Sequence, residues 1–207
     1  MYIVIKRIID FLLSLLALII LSPVFLILAI WIKFDSPGPI FFKQKRVGID
    51  KKHFQIYKFR TMRIDTPDDV PTHQLSDPAA FITKSGNFLR RTSLDELPQL
   101  LNIIKGDMAI IGPRPALWNQ YDLIEERDKY GANDVLPGLT GWAQINGRDE
   151  LPIPVKARLD GEYIEQMGPV MDLKCFFGTI VSVFKSDGVM EGGTGMMEKR
   201  NESRDEM

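Results

Sequence analysis

An α+β fold with a membrane-associated start is predicted by three stretches of this 207-residue chain. Residues Phe11 to Ile32 form a run without one charged side chain. Two alternating, strand-like runs follow, and the remainder is largely helix-patterned around an acidic pair, Asp95 and Glu96. The expected divisions are a re-entrant N-terminal membrane helix over residues 1–34, a folded domain over 35–190 and a flexible tail over 191–207. The length suffices for one substantial core. A net charge of −1 excludes no partner until its distribution is examined. Cys175 is the only cysteine, so no intrachain disulfide exists, and its apolar surroundings assign it to packing. No internal repeat is present, and no nucleic-acid-binding motif accompanies the basic residues.

The uncharged run, as a straight helix, measures about 33 Å, enough to cross a bilayer. It is too long for a signal peptide and lacks a small-x-small cleavage site. Ser22 and Pro23 fall near its middle, where proline removes a backbone hydrogen bond and crowds the preceding turn. The serine hydroxyl is placed to satisfy a freed carbonyl, which makes a bend tolerable in lipid. Both flanks are basic, with Lys6 and Arg7 before and Lys33, Lys43, Lys45 and Arg46 after. Positive flanks favour the cytoplasm, so a helix that enters and leaves on one face satisfies both. A proline-kinked spanning helix is the alternative.

SPGP at 36–39 reads as a turn. PIFFKQKRVG and HFQIYKFRTM then read as a hairpin joined around Ile49 to Lys52. From Lys43 to Arg63 there are eight basic residues against one acid, Asp50. Beside a membrane segment such a run attracts anionic headgroups and phosphorylated lipid. Residues 64–80 are rich in Pro and Asp and read as an irregular loop. Asp65, Asp68 and Asp69 show no metal-ligand spacing there, and neither His53 nor His73 has partners at zinc spacing.

The central stretch is RRTSLDELPQLLNIIKGDMAIIGPRP, residues 90–115. SGNFLRR predicts a short helix that brings Arg90 beside Asp95. Ser93 and Glu96 have capping-box spacing, so a second helix is expected to start near Ser93 with both acids in its first turn. Pro98 is tolerated at such a position, and Gly106 fits the C-cap. Neighbouring helix residues point about 100° apart, so the carboxylates are expected to diverge, one toward a substrate and the other toward a metal or a neighbour. IIGPRP predicts an extended piece in which the second proline holds Arg114 in extended geometry. Acids, arginines and a helix start together suit a metal-bound phosphate ester.

Residues 116–131 predict an exposed polar helix. PGLTGWAQINGR at 137–148 brings glycines suited to close backbone approach to a ligand, a tryptophan suited to base stacking or core packing, and Arg148, a candidate phosphate ligand. VKARLDGEYIEQM is amphipathic. MDLKCFFGTIVSVFK, residues 171–185, predicts an apolar helix docked on core or membrane.

SLDELPQLLNIIKGDM, IGPRP, YKFRTM at 57–62 and PGLTGWAQINGR, in this order, closely resemble the bacterial sugar transferases known as monotopic phosphoglycosyl transferases. The likeness covers roughly residues 5–190 and includes the small N,N'-diacetylbacillosaminyl-1-phosphate transferase type; members use several UDP-sugars, often N-acetylated, and no residue selects one. It implies a re-entrant helix bent at Ser22-Pro23 and a small cytoplasmic catalytic domain on the bacterial inner membrane. It implies transfer of a sugar 1-phosphate from a UDP-sugar to polyprenyl phosphate, with Mg²⁺ as cofactor. Inner-membrane lipids and downstream glycosyltransferases are the implied partners. Asp95 then becomes the nucleophile and Glu96 an orienting or metal-binding neighbour, with Asp95 and Glu96 the metal candidates. Lys58, Arg60, Arg90, Arg114 and Arg148 become phosphate ligands. Asp172, matching a family acid, is expected to pair with an active-site arginine. A membrane-anchored nucleotide-sugar hydrolase and a noncatalytic scaffold remain as alternatives. A glycosidase does not, because adjacent acids cannot flank a glycosidic bond at the ~5–9 Å required.

Overall fold

The N-terminal apolar run folds as two helices, α1 (Tyr2–Ile20) and α2 (Ser22–Asp35), bent by 62° at the break between them. This is a computed structural model, and it describes residues 2–66, 78–147 and 151–185. Pro23 lacks the N–H that would bond the Ile19 carbonyl, and Ser22 Oγ donates to that same carbonyl at 2.8 Å. The expected replacement of the lost bond is therefore present. Neither helix alone is long and apolar enough to cross a membrane, whereas the bent pair together has the length and composition for it. Much of the apolar surface of the pair is exposed, from Ile3 (63%) to Phe34 (88%).

The hairpin forms where alternation predicts it. Strands β1 (Phe41–Val47) and β2 (His53–Phe59) pair antiparallel, from Phe41 opposite Phe59 to Val47 opposite His53. The turn forces Asp50 and Lys51 into positive φ, 53° and 58°. Burial follows the two-residue period: Ile56 is buried while His53 and Gln55 are exposed.

Next come a helical turn, α3 (Pro78–Phe81), then α4 (Lys84–Thr92) and α5 (Gln99–Lys105). Thr83 caps α4 by accepting from the Gly86 N–H at 3.0 Å. Gly106 ends α5 at φ 98°, as its C-cap role requires. A short parallel ladder joins β3 (Ala109–Ile111) to β4 (Gly138–Thr140). Between and after them lie α6 (Tyr121–Asp128), α7 (Trp142–Ile145), α8 (Ile153–Glu165) and α9 (Pro169–Lys185). The glycines of the PGLTGW stretch serve this ladder: a Cβ on Gly138 would sit 2.1 Å from Gly112 N, and one on Gly141 2.1 Å from Gly112 O. They let backbone approach backbone rather than ligand.

Small apolar clusters hold these elements on the bent pair. Leu28 and Ile32 of α2 pack with Phe59 and Leu89, with Leu94 and Leu97 against them. Ala17 and Leu21 lie against Ile56, Leu100, Ile103 and Met108. Arg7 adds a polar tie by donating to the Ile103 and Ile104 carbonyls at 2.6 and 3.2 Å, at the negative end of α5. Asn102, fully buried, joins α5 to β2: it accepts from the Tyr57 N–H at 2.9 Å and donates to the Gln55 carbonyl at 2.7 Å.

Two expectations need correction. Residues 116–120 are not helical, and α6 is not simply exposed, since Leu123 and Arg127 are buried. Arg60 is not open to a substrate phosphate. It is 4% exposed and donates to the carbonyls of Ile32, Ser36 and Pro37 and to Ser36 Oγ. A guanidinium, with donors in a fixed fork, suits the carbonyls that converge at and just past the end of α2. Arg60→Ala is expected to cost about 2 kcal/mol, seen as a lower midpoint of thermal unfolding in detergent.

Candidate active site

Asp95 and Glu96 lie in a single 3₁₀ turn, Leu94–Glu96, between α4 and α5. This differs from the expected capping box. Helix α4 runs on through Thr92 and ends at Ser93, which takes a left-handed conformation (φ 56°) with its N–H returned to the Arg90 carbonyl. Ser93 therefore closes one helix instead of opening the next, and α5 begins after Pro98. The Glu96 side chain, free of any capping duty, turns to two cations.

Those cations arrive from separate elements. Lys58 on β2 donates to Glu96 Oε1 at 2.8 Å. Arg114, after β3, forks onto the same carboxylate, Nη2 to Oε1 at 2.5 Å and Nη1 to Oε2 at 3.2 Å. Lys58 Nζ is also 3.8 Å from Asp95 Oδ2, so the two acids converge on one ammonium rather than diverging. Arg90, on the last turn of α4, donates from Nε to Thr61 Oγ1 at 2.9 Å and adds its charge to the field at Asp95.

The two carboxylates differ in electrostatics. Burial pushes the Asp95 carboxyl up from its ordinary value; Lys58 opposes this, and the Glu96 charge reinforces it. Burial acts on Glu96 in the same sense, but the charges of Arg114 and Lys58 and their hydrogen bonds outweigh it and hold its carboxyl well below the usual range. Glu96 is thus a committed counter-ion. Asp95 is 8% exposed and has the looser contact.

Arg114 is fixed from behind. Arg127 Nη1 donates to the Arg114 carbonyl at 2.8 Å, while its Nε bonds Asp160 Oδ2 at 2.8 Å in a buried pair. Arg46 Nη1 donates to the Pro115 carbonyl at 3.1 Å. Pro113 and Pro115 restrict the chain on either side. Sequence reasoning missed Arg127, Asp160 and Asn102. Only Asn102, a polar residue inside the apolar LLNII run, carried a visible signal.

The remaining candidates lie elsewhere. Arg60 caps α2. Arg148 and the acids Asp68 and Asp69 fall outside the described residues. Ser22 and Pro23 form the helix break. Asp172, expected beside an arginine, instead accepts from Tyr2 Oη at 2.6 Å, pairs with Lys6 at 2.8 Å and meets Tyr163 Oη at 2.8 Å. It locks α9 to the start of α1. Trp142 packs against the Ile111, Tyr163, Met171 and Cys175 cluster and donates from Nε1 to Glu162 at 3.0 Å.

No group of three or more His, Cys, Asp or Glu side chains converges among the described residues. A Mg²⁺ ion commonly takes only one or two carboxylates alongside substrate phosphates. Asp95 fits that donor chemistry; Glu96 would first have to give up Lys58 or Arg114.

A chain of this kind, with an acidic pair among cations beside a bent pair of apolar helices, matches known proteins. Residues 1–186 match the family model for bacterial sugar transferase. The chain is 43% identical over 188 residues to the UDP-glucose:undecaprenyl-phosphate glucose-1-phosphate transferase of Escherichia coli (strain K12), covering 86% of this chain and 40% of that one. It is 41% identical over 194 residues to the exopolysaccharide production protein PSS of Rhizobium leguminosarum bv. phaseoli, covering 88% and 96%. It is 37% identical over 188 residues to the uncharacterized sugar transferase EpsL of Bacillus subtilis (strain 168), covering 91% of each. The chain thus spans less than half of the first relative and nearly all of the other two. It belongs to the bacterial sugar transferase family, and is a sugar transferase by class.

Glu96→Gln removes the charge that Lys58 and Arg114 share and is expected to cost roughly 1–3 kcal/mol at neutral pH. Glu96 has a depressed folded value, so its contribution is complete above the ordinary glutamate range and fades as pH falls below it. The stability gap between the two proteins, followed by chemical denaturation, should therefore shrink on acidification.

Proposed function

We propose that the protein transfers a sugar 1-phosphate from a UDP-sugar to undecaprenyl phosphate, releasing UMP, with Asp95 as the covalent nucleophile. The observation that carries this reading is the division between adjacent carboxylates. Glu96 is neutralised by Lys58 and Arg114, while Asp95 stands beside them without an equally close partner. A carboxylate so placed can attack a phosphorus whose oxygens the same cations draw in.

In the first step Asp95 Oδ attacks the sugar-bearing phosphorus. The bond from that phosphorus to the bridging oxygen breaks, and UMP leaves with the electron pair. In the second, a phosphate oxygen of undecaprenyl phosphate attacks the aspartyl phosphate, and Asp95 departs as carboxylate. Arg114, Lys58 and Arg90 lie close enough to orient and neutralise the non-bridging oxygens. Mg²⁺, held by Asp95 and the substrate's own phosphates, would supply further neutralisation of the diphosphate. Glu96 keeps Lys58 and Arg114 in place rather than reacting.

The bent apolar pair suits a re-entrant anchor on the cytoplasmic face, because both of its ends are basic. Such an anchor brings the active-site turn to the level of a lipid phosphate. Two relatives are named as UDP-glucose:undecaprenyl-phosphate glucose-1-phosphate transferases, so UDP-glucose is the first donor to test, ahead of N-acetylated donors. The product would be the first lipid-linked sugar of a surface polysaccharide.

Asp95→Asn removes the attacking oxygen's charge and should lower UMP release by at least about 10³-fold, as losses of covalent nucleophiles do. The assay is nucleotide release from UDP-glucose with undecaprenyl phosphate and Mg²⁺. Retained activity would remove Asp95 as nucleophile, and release of UDP would mean transfer of the sugar without its phosphate.

A further inference from the structure

The outward face of the hairpin carries a cluster that the proposed chemistry does not use. Alternation puts Lys58 on the inner face with Phe54 and Ile56, and Lys43, Lys45 and Tyr57 on the other. Lys43 is the cross-strand partner of Tyr57, and its Nζ lies 5.5 Å from the centre of that ring. Lys105, the last residue of α5, lies 4.4 Å from the same centre and donates to the phenol oxygen at 2.6 Å. Lys45 Nζ is 5.0 Å from the Trp118 ring. All three distances are within cation–π range.

Charge pairing separates these lysines from the others around them. Lys6, Lys51, Lys52 and Lys58 each have a carboxylate within 4.0 Å. Among the described residues, no carboxylate stands that close to Lys43, Lys45 or Lys105. The neighbouring Asp107 is engaged by Asn102 Nδ2 at 3.1 Å.

Position supplies the second argument. Lys105 directly follows the two carbonyls that Arg7 holds. Arg7 stands four residues, about 6 Å of helix, before the uncharged run begins at Phe11. Ile3, Val4, Ile5, Ile8 and Ile9 around Arg7 are exposed, so Lys105 and the ring beneath it lie near the exposed apolar surface of α1. Aromatic and basic side chains beside such a surface match a membrane interface.

We propose that Lys43, Lys45 and Lys105, braced on Tyr57 and Trp118, form a docking surface for the anionic phospholipid headgroups of the surrounding bilayer. The surface sets how the domain lies on the membrane and is distinct from the phosphate-binding cations on the inner face. This inference rests on the membrane placement of the bent pair. A lysine near an anionic bilayer surface favours it about fivefold, so three of them give a selectivity that is measurable and sensitive to salt.

The test is electron paramagnetic resonance of the full chain in phosphatidylcholine vesicles doped with spin-labelled phosphatidylglycerol or spin-labelled phosphatidylcholine. The protein should immobilise both lipids, with phosphatidylglycerol favoured at least about fivefold. The K43Q/K45Q/K105Q variant should bring that preference to twofold or less, while the K43R/K45R/K105R variant keeps it. An unchanged preference in the Gln variant overturns the proposal. So does an unchanged preference with a raised KM for the UDP-sugar, which would assign the lysines to the nucleotide. No immobilised component from either lipid would refute the membrane placement itself, and this surface with it.

Discussion

Lys58 and Arg114 come from different parts of the fold and meet on one carboxylate, Glu96. Without that carboxylate two partly buried cations would face each other, and the contact that brings them together would be lost. Much of the surrounding structure can be read as support for this meeting. Asn102 ties β2 to α5, which sets the position of Lys58. Arg127, paired with Asp160, holds the main chain at Arg114. Ser93 turns the chain through a left-handed conformation so that Glu96 points at both cations. A triad of this kind costs desolvation energy that its Coulomb attraction alone does not clearly repay. Its use is positional: it holds positive charge beside Asp95.

The second constraint is the attachment of this centre to the bent helix pair. Arg60, directly after the strand that carries Lys58, closes the end of α2. Asp35, the last residue of α2, accepts from the Ser85 N–H and hydroxyl at 2.8 Å each, in the helix that carries Arg90. Arg7 closes the end of α5, and Asp172 joins α9 to Lys6 and Tyr2. The segment that would hold a lipid acceptor and the segments that would hold a sugar nucleotide are thereby tied by short polar contacts. In the proposed reaction this geometry lets a lipid phosphate reach Asp95 without the domain leaving the membrane surface.

Much of this was legible in the chain. The hairpin followed from alternation, the break from Ser22-Pro23, and the end of α5 from Gly106, because each depends on local backbone chemistry. The pairing of Glu96 with Lys58 and Arg114 was only half visible: the residues stood out, but their roles needed geometry. Ser93 misled because capping-box spacing also arises where one helix ends in a left-handed residue. Arg60 misled for a related reason: a basic residue in a basic run looks solvated unless one knows which carbonyls converge nearby. Asp172 was assigned to an arginine, yet its partners Tyr2 and Lys6 lie some 170 positions away, beyond any local pattern. Arg127 and Asp160, thirty-three positions apart, show the same limit.

The central claim is that Asp95, and not water or the lipid, makes the first attack. It is tested most directly by mixing the protein with excess UDP-glucose and no acceptor lipid, quenching, and locating any added mass by peptide mass spectrometry. The account predicts a hexose-phosphate adduct on Asp95, formed with a burst of UMP no larger than the protein concentration and removed by undecaprenyl phosphate. If the correct donor turns over with lipid, yet without lipid gives neither burst nor adduct, transfer is direct and the covalent role of Asp95 is wrong.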